Sequence, residues 1–295
     1  MPISFYEVVW IFLIYAFLGW CTEVSYAALN TGKFVNRGFL NGPVCPVYGC
    51  GVLLVVLVLT PLKENLLILF VGSVILTTAI EFVTGFLLEK LFHNHWWDYS
   101  NQPFNVCGYI CLKFSILWGL ACTFVMDIVH PLIYKLIRIV PHMVGLIILI
   151  VLMAAFCCDL GVTVATVLKL NKRLKMLEEA AGKLHAISDG IGENIYENVT
   201  TAMEKSEEFK ENHKEVLDKL NEKKDFLVAK KEEKQREYEE LTQKYKELLE
   251  KKTFGFKRLL KAFPDMVSRD QNESLQKYKE HFNIRRKQDK KQKEK

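Results

Sequence analysis

The residues of this chain best placed to do chemistry are carboxylates set inside apolar runs. Glu23 sits in the first such run and Glu81 in the third, about three turns before its end. A charge at that depth costs several kcal/mol, so it faces the interior of a bundle or a wet cavity and has a partner. Two acids in such a place suit a cation, a proton or an amine-bearing solute. The plainer reading is a structural glutamate bonded to Arg37, Lys90, a histidine or a tyrosine hydroxyl.

Two short segments beside these acids are aromatic and polar at once. One is Lys33-Phe34-Val35-Asn36-Arg37-Gly38-Phe39-Leu40-Asn41-Gly42-Pro43, and the other is His93-Asn94-His95-Trp96-Trp97-Asp98-Tyr99-Ser100. An interfacial belt accounts for Trp96 and Trp97. It leaves the Asn, Asp and His between the rings unexplained. Asn36, Arg37, Asn41, Trp96, Trp97, Asp98 and Tyr99 therefore join Glu23 and Glu81 as candidates for a substrate or ion site, with Asn36, Arg37 and Asp98 forming a polar mouth.

The same residues are spaced as a repeat. Glu23 precedes Phe34 by eleven residues and Asn36 by thirteen, and Glu81 precedes Phe92 and Asn94 by the same intervals. Both segments then close with Asn-x-Pro and a cysteine: Asn41, Pro43 and Cys45, then Asn101, Pro103 and Cys107, with Cys50 and Cys111 following. Spans one and two then form one hairpin and spans three and four another, both entering from one side. Such a parallel pseudo-repeat builds a pathway at the repeat interface, and it predicts that Glu23 and Glu81 face a shared cavity. Chance matching is the competing explanation at this length.

The elements that position these residues follow from composition. Of the 168 residues up to Leu168 only 15 are Asp, Glu, Lys or Arg, against 58 of the 127 that follow. Two solvents are implied. The apolar runs approach the roughly 20 residues that a helix needs to cross a hydrocarbon core. They place spans at about 5–29, 43–60, 66–90, 108–130 and 142–168, giving an all-α polytopic bundle, followed by a charged helical domain over 169–295 with a basic tail. The first run lacks a basic n-region and a small-x-small cleavage site, so it reads as a retained span.

Basic residues orient the bundle. With the N-terminus outside, the inner side holds Lys33, Arg37, Lys90 and the Lys169, Lys172, Arg173, Lys175 cluster; the outer side holds Lys63, Lys135 and Arg138. A plasma-membrane protein with a cytoplasmic C-terminal domain is expected. Lys135 and Arg138 are the dissent, accommodated by an interfacial helix between Pro131 and Pro141.

All eight cysteines lie in the membrane part, where a disulfide framework is not expected. His93, His95, Cys107 and Cys111, with Cys45 and Cys50, carry metal-ligand atoms, but H-x-H, C-x3-C and C-x4-C do not form a recognised ligand pattern. For the histidines, hydrogen bonding beside Trp96 is the preferred reading. No metal or cofactor is expected. Nor is there a GxxxxGK[ST] loop, a GxSxG elbow, an HExxH helix or a GxGxxG turn, so the usual enzyme signatures are missing.

Beyond residue 172 the chain favours helix, with no proline until Pro264 and an apolar seam at 217, 220, 227, 238, 241, 245 and 248 that Lys224, Lys231 and Lys234 interrupt. A long helix or short coiled coil is expected, broken near Gly182, Gly190 and Gly192. The basic amphipathic stretch Phe254–Pro264 lies on anionic lipid or caps that coil. The tail from Arg285 reads as a solvated end.

Several strings resemble a known family: Phe17-Leu18-Gly19-Trp20 with Glu23, Asn36 to Pro43 with Cys45-Pro46-Val47-Tyr48-Gly49, and Trp96-Trp97-Asp98-Tyr99-Ser100. Pro103-Phe104-Asn105 and Trp118-Gly119 extend the likeness. Over residues 5 to about 165 the chain resembles the bacterial ABC transporter permease family called type IV. The resemblance implies a permease-like membrane subunit that works with a separate ATPase, and it assigns no residue a role. The alternatives carried forward are a membrane scaffold recruiting a cytoplasmic partner through its C-terminal helix, and an integral membrane enzyme acting on lipid at the inner interface. Membrane lipid, an ATPase subunit or another cytoplasmic protein, and a second copy of the chain are the partners in view. Nucleic acid is not.

Overall fold

A computed structural model describes residues 4–208, 214–251 and 253–282, without the side chains of 191–227 and 230. The chain forms two compact units, one of Met1–Asn171 with Thr253–Lys295 and one of Lys172–Lys252. Almost all regular structure is helical, as the apolar runs require.

In the first unit, α1 (Phe5–Thr31) is opened by a capping box, in which Glu7 N donates to Ser4 Oγ and Ser4 N to Glu7 Oε2. Gly32 closes it in the left-handed region at φ 66°. Next come α2 (Pro46–Leu59), α3 (Leu66–Phe92), α4 (Leu112–Phe124), α5 (His130–Ile139) and α6 (His142–Glu208). A π turn over Val125–Val129 joins α4 to α5. Pro131 explains it, because proline cannot donate to the preceding turn and its ring displaces that carbonyl.

Helices α1 and α2 pack as a hairpin, α3 and α4 as a second, and α2 lies against α3. Among the described residues, four helical stretches are long and apolar enough to cross a membrane: Phe5–Thr31, Leu66–Phe92, Leu112–Ile139 and His142–Gly190. The expected second span is shorter, an apolar helix over Pro46–Leu62 that reaches about 25 Å at 1.5 Å per residue. Large aliphatic side chains such as Leu67, Ile75, Leu132, Ile147 and Ile150 point outward and stay uncovered. Water would penalise that surface and hydrocarbon would not.

Both aromatic loops lie at one end of the bundle, where Phe39 packs on Phe92 and Trp96 with ring centroids 6.1 and 5.1 Å apart. The loop after α3 contains β1 (Asn94–His95), β2 (Asn105–Val106) and β3 (Ile110–Cys111); β2 and β3 pair with each other. After the second unit the chain returns to this end through α8 (Phe256–Ala262), β4 (Val267–Ser268) and α9 (Asn272–His281). β4 pairs antiparallel with β1, and Arg269 N donates to His93 O at 2.9 Å. Phe254–Pro264 therefore finds a seat that neither expectation named, on the loops of the membrane unit. Its small core of Phe256, Leu259, Leu260, Met266, Leu275 and Tyr278 is buried, and Lys279 Nζ donates to Pro264 O and Met266 O at 2.7 Å.

The second unit contains the continuation of α6 and α7 (Lys214–Glu250). Helix α6 continues through Gly182 and Gly190 without the expected break, because isolated glycines cost a helix only about 1 kcal/mol each. Tyr238, Leu241, Tyr245 and Leu248 of the predicted seam are half-buried, and Arg173 Nη1 donates to Lys251 O at 2.6 Å. Positions 217, 220 and 227 of the seam, the region of Gly192, and the tail from Arg285 lie outside the described side chains.

Candidate functional site

The two hairpins enclose a cavity of about 210 Å³ in the first unit, at the loop end. Its charged lining residues are Glu23 from α1, Arg37 from the first loop and Glu81 from α3. Tyr48 and Trp118 come from α2 and α4, Trp96, Trp97 and Tyr99 from the second loop, and Phe263 from the returning segment.

Glu23 has a hydrogen bond at one oxygen and an ion pair at the other. Tyr48 OH donates to its Oε1 at 2.5 Å, and Arg37 Nε lies 3.7 Å from its Oε2. Glycine at position 19 permits this, since a Cβ there would collide with the Tyr48 side chain. Gly49 of α2, the residue after Tyr48, likewise fits against the Phe12 carbonyl of α1. Glu81 is engaged at one oxygen only. Tyr99 OH donates to Oε1 at 3.3 Å, while Oε2 is buried with no hydrogen-bond partner among the described residues. Burial, reinforced by the Glu81 carboxylate, holds the Tyr99 phenol well above its ordinary range, so it stays a donor.

Six of the nine sequence candidates thus meet at one cavity: Glu23, Arg37, Glu81, Trp96, Trp97 and Tyr99. The other three build its surroundings. Asn36 Oδ1 accepts from Trp20 Nε1 at 2.8 Å and from Gly38 N at 3.0 Å, and its Nδ2 donates to Asn41 O at 2.8 Å. Asn41 donates from N and Nδ2 to Asp159 Oδ1 at 3.1 and 2.9 Å. Asp98 is exposed and accepts from Ser100 N at 2.8 Å. Of the three residues expected at a polar mouth, Arg37 lines the cavity, while Asn36 and Asp98 do not and bond within their own loops. The repeat is likewise approximate. Asn36 locks its own loop, whereas its counterpart Asn94 donates to Asn171 Oδ1 at 2.7 Å.

The metal-ligand candidates are not brought together: no group of three or more His, Cys, Asp or Glu is poised for an ion among the described residues. His95 Nδ1 lies 2.6 Å from Glu89 Oε2, which also accepts from Tyr109 OH at 2.5 Å. His93 pairs with Asp270 at 3.3 Å. Cys107 is exposed, Cys111 is buried, and Cys45 lines the cavity while Cys50 faces outward.

Two groups escaped the sequence reading. Asp159, in the fifth apolar run, accepts from Gly42 N at 2.7 Å as well as from Asn41, and so ties the first loop to α6. Its signal was present, an acid in an apolar run like Glu23. Arg258 had no local signal. Its guanidinium donates to the carbonyls of Gly38, Leu40 and Phe39 at 2.9, 2.8 and 2.9 Å, which seats α8 on the first loop. Burial pulls its pKa down while Asp159 opposes the shift. Phe263, nearby, packs edge to face on Trp96 at 5.1 Å.

A family described as "Putative ABC-transporter type IV" matches residues 10–164, which span the helices and loops that build this cavity. The chain belongs to that family. No curated protein and no solved structure matches it. The matched stretch of this type IV member contains Glu23, Arg37, Glu81 and the loop aromatics, and ends before Arg258 and Phe263. Four apolar helices and the family together make it a membrane protein.

Proposed function

We propose that this type IV member is the permease-like subunit of an ABC-type transport system and that it handles its solute in the cavity at Glu23 and Glu81. The observation that carries the reading is the convergence of one acid from each hairpin on one cavity, with one carboxylate oxygen of Glu81 left without a hydrogen-bond partner among the described residues. An acid held at such depth without a full set of partners is costly for a purely structural role. The basic residues near the helix ends orient the loop end and the 172–252 unit toward the cytoplasm, in a multi-pass protein of the plasma membrane. Energy would come from a separate ATPase, since this chain has no phosphate-binding loop.

A scaffold reading is favoured by one feature, the highly charged helical unit over Lys172–Lys252. Purification of the tagged full chain from its native membrane in mild detergent, with identification of what accompanies it, separates the two. A stoichiometric protein with a GxxxxGK[ST] loop supports the transport subunit. Another partner in its place, lost when residues 172–252 are removed, supports the scaffold.

A further inference from the structure

We propose that the cavity takes a small protonated amine, whose N–H donates to Glu81 Oε2 while its alkyl part lies against the aromatic wall. This rests on the cavity being the solute site, and it names the chemical class of the solute.

Charge is the first argument. The lining holds two carboxylates and one guanidinium, and Arg37 is paired with Glu23. Glu81 is then the carboxyl in the lining with no basic partner there, a position that suits a cation and repels an anion. Hydrogen bonding is the second. The hydroxyls of Tyr48 and Tyr99 already donate to the glutamates, so the unfilled position is an acceptor, Glu81 Oε2. Only a ligand bearing N–H or O–H fills it. Trp96 Nε1, buried in the same wall with no hydrogen-bond partner among the described residues, is a donor that an alkylammonium leaves unfilled.

The wall supplies the third argument. Tyr48, Trp96, Trp97, Tyr99, Trp118 and Phe263 line the same cavity with aromatic rings. Aromatic faces attract cations, and most strongly where water is excluded. The same wall is poor in oxygen ligands, whereas a calcium ion takes six to eight, and no three-residue metal group exists among the described residues. At about 210 Å³ the space also falls below the roughly 300–1,000 Å³ of drug-sized sites. A quaternary ammonium would suit the rings and leave Oε2 unfilled.

The test is calorimetric titration of the full chain in mild detergent with propylammonium, tetramethylammonium, propan-1-ol and sodium chloride. Propylammonium should bind saturably and more tightly than tetramethylammonium, with no saturable binding of the alcohol or sodium. Glu81→Gln keeps the shape, removes the charge, and should weaken propylammonium about 10- to 100-fold. Trp118→Leu, which deletes a ring and keeps apolar volume, should also weaken it, so the inference remains testable if Glu81→Gln misfolds on size exclusion. Equal binding of propan-1-ol, undiminished binding in both folded variants, or no saturable propylammonium binding would overturn it. If no amine binds while Glu23→Gln and Glu81→Gln still abolish an uptake or efflux phenotype, only the amine assignment falls. If amines bind as described and both variants keep the phenotype, the transport reading falls and the site stands.

Discussion

Arg258 offers a quantitative handle on the segment that returns from the second unit. Three carbonyls of one loop, Gly38, Phe39 and Leu40, are held by its single guanidinium at 2.8 to 2.9 Å. A hydrogen bond from a charged donor contributes roughly 1.5–3 kcal/mol net. Arg258→Ala removes all three, but the carbonyls regain some water and the bonds share one donor group, so the sum falls well short of three full bonds. About 3 kcal/mol for seating α8 and β4 is the resulting estimate. Local opening would then be about a hundredfold more frequent, read as hydrogen exchange at the amides of the β1–β4 ladder and of Arg269, which donates to His93 O. Arg258→Lys keeps the charge without the planar fork and should give a smaller increase. Lys257→Ala, at an exposed neighbour, should give none. Exchange in Arg258→Ala within about threefold of the parent would refute the claim that these bonds seat the segment.

Gly19→Ala should lower thermal stability in detergent by about 1–3 kcal/mol, because the new methyl meets Tyr48 in a packed helix pair; Gly51→Ala, with open space around it, is the comparison and should gain up to about 1 kcal/mol from helix propensity. Asp159→Asn should cost about 1–3 kcal/mol and speed exchange at the amides of Asn41 and Gly42, since an NH2 group replaces one of the two accepting oxygens. Tyr109 has its pKa pushed up from 10.0 to about 12, by burial first and then by its hydrogen bond to Glu89. Between those values the folded loop keeps a proton that the unfolded chain has lost, so stability should fall as pH rises across that window. Tyr109→Phe should remove that part of the fall, measured as exchange protection at β2 and β3.

The helical class was legible because hydropathy alone separates runs of membrane length from charged sequence. The start of the second span was less so, since the first loop runs on to Cys45 and α2 opens at Pro46, while its end at Leu59 lies one residue from the expected 60. Glu23 and Glu81 stood out through the cost of a buried charge, and their loops through Asn, Pro and aromatic spacing. Asn36 and Asp98 shared that composition and turned out to hold turns. Residue type alone does not distinguish a polar group that faces a cavity from one that closes a loop. Asp159 required knowledge of which helix face meets the first loop. Arg258 lies more than 200 positions from the carbonyls it binds, and backbone acceptors carry no sequence signature. Its basic, amphipathic setting was equally compatible with lipid, with a neighbouring helix and with the seat it takes.

The central claim is that the cavity between the hairpins handles a solute, and its acids test it most directly. Uptake and efflux should be measured in cells expressing Glu23→Gln, Glu81→Gln or Asp159→Gly at matched membrane levels, against the parent and a deletion strain. The account expects Glu81→Gln to match the deletion and Glu23→Gln to lose most activity, because its release of Arg37 and Tyr48 disorders the mouth. It expects Asp159→Gly to retain part, since Asp159 acts only through the first loop. Full activity in both glutamine variants would contradict the account.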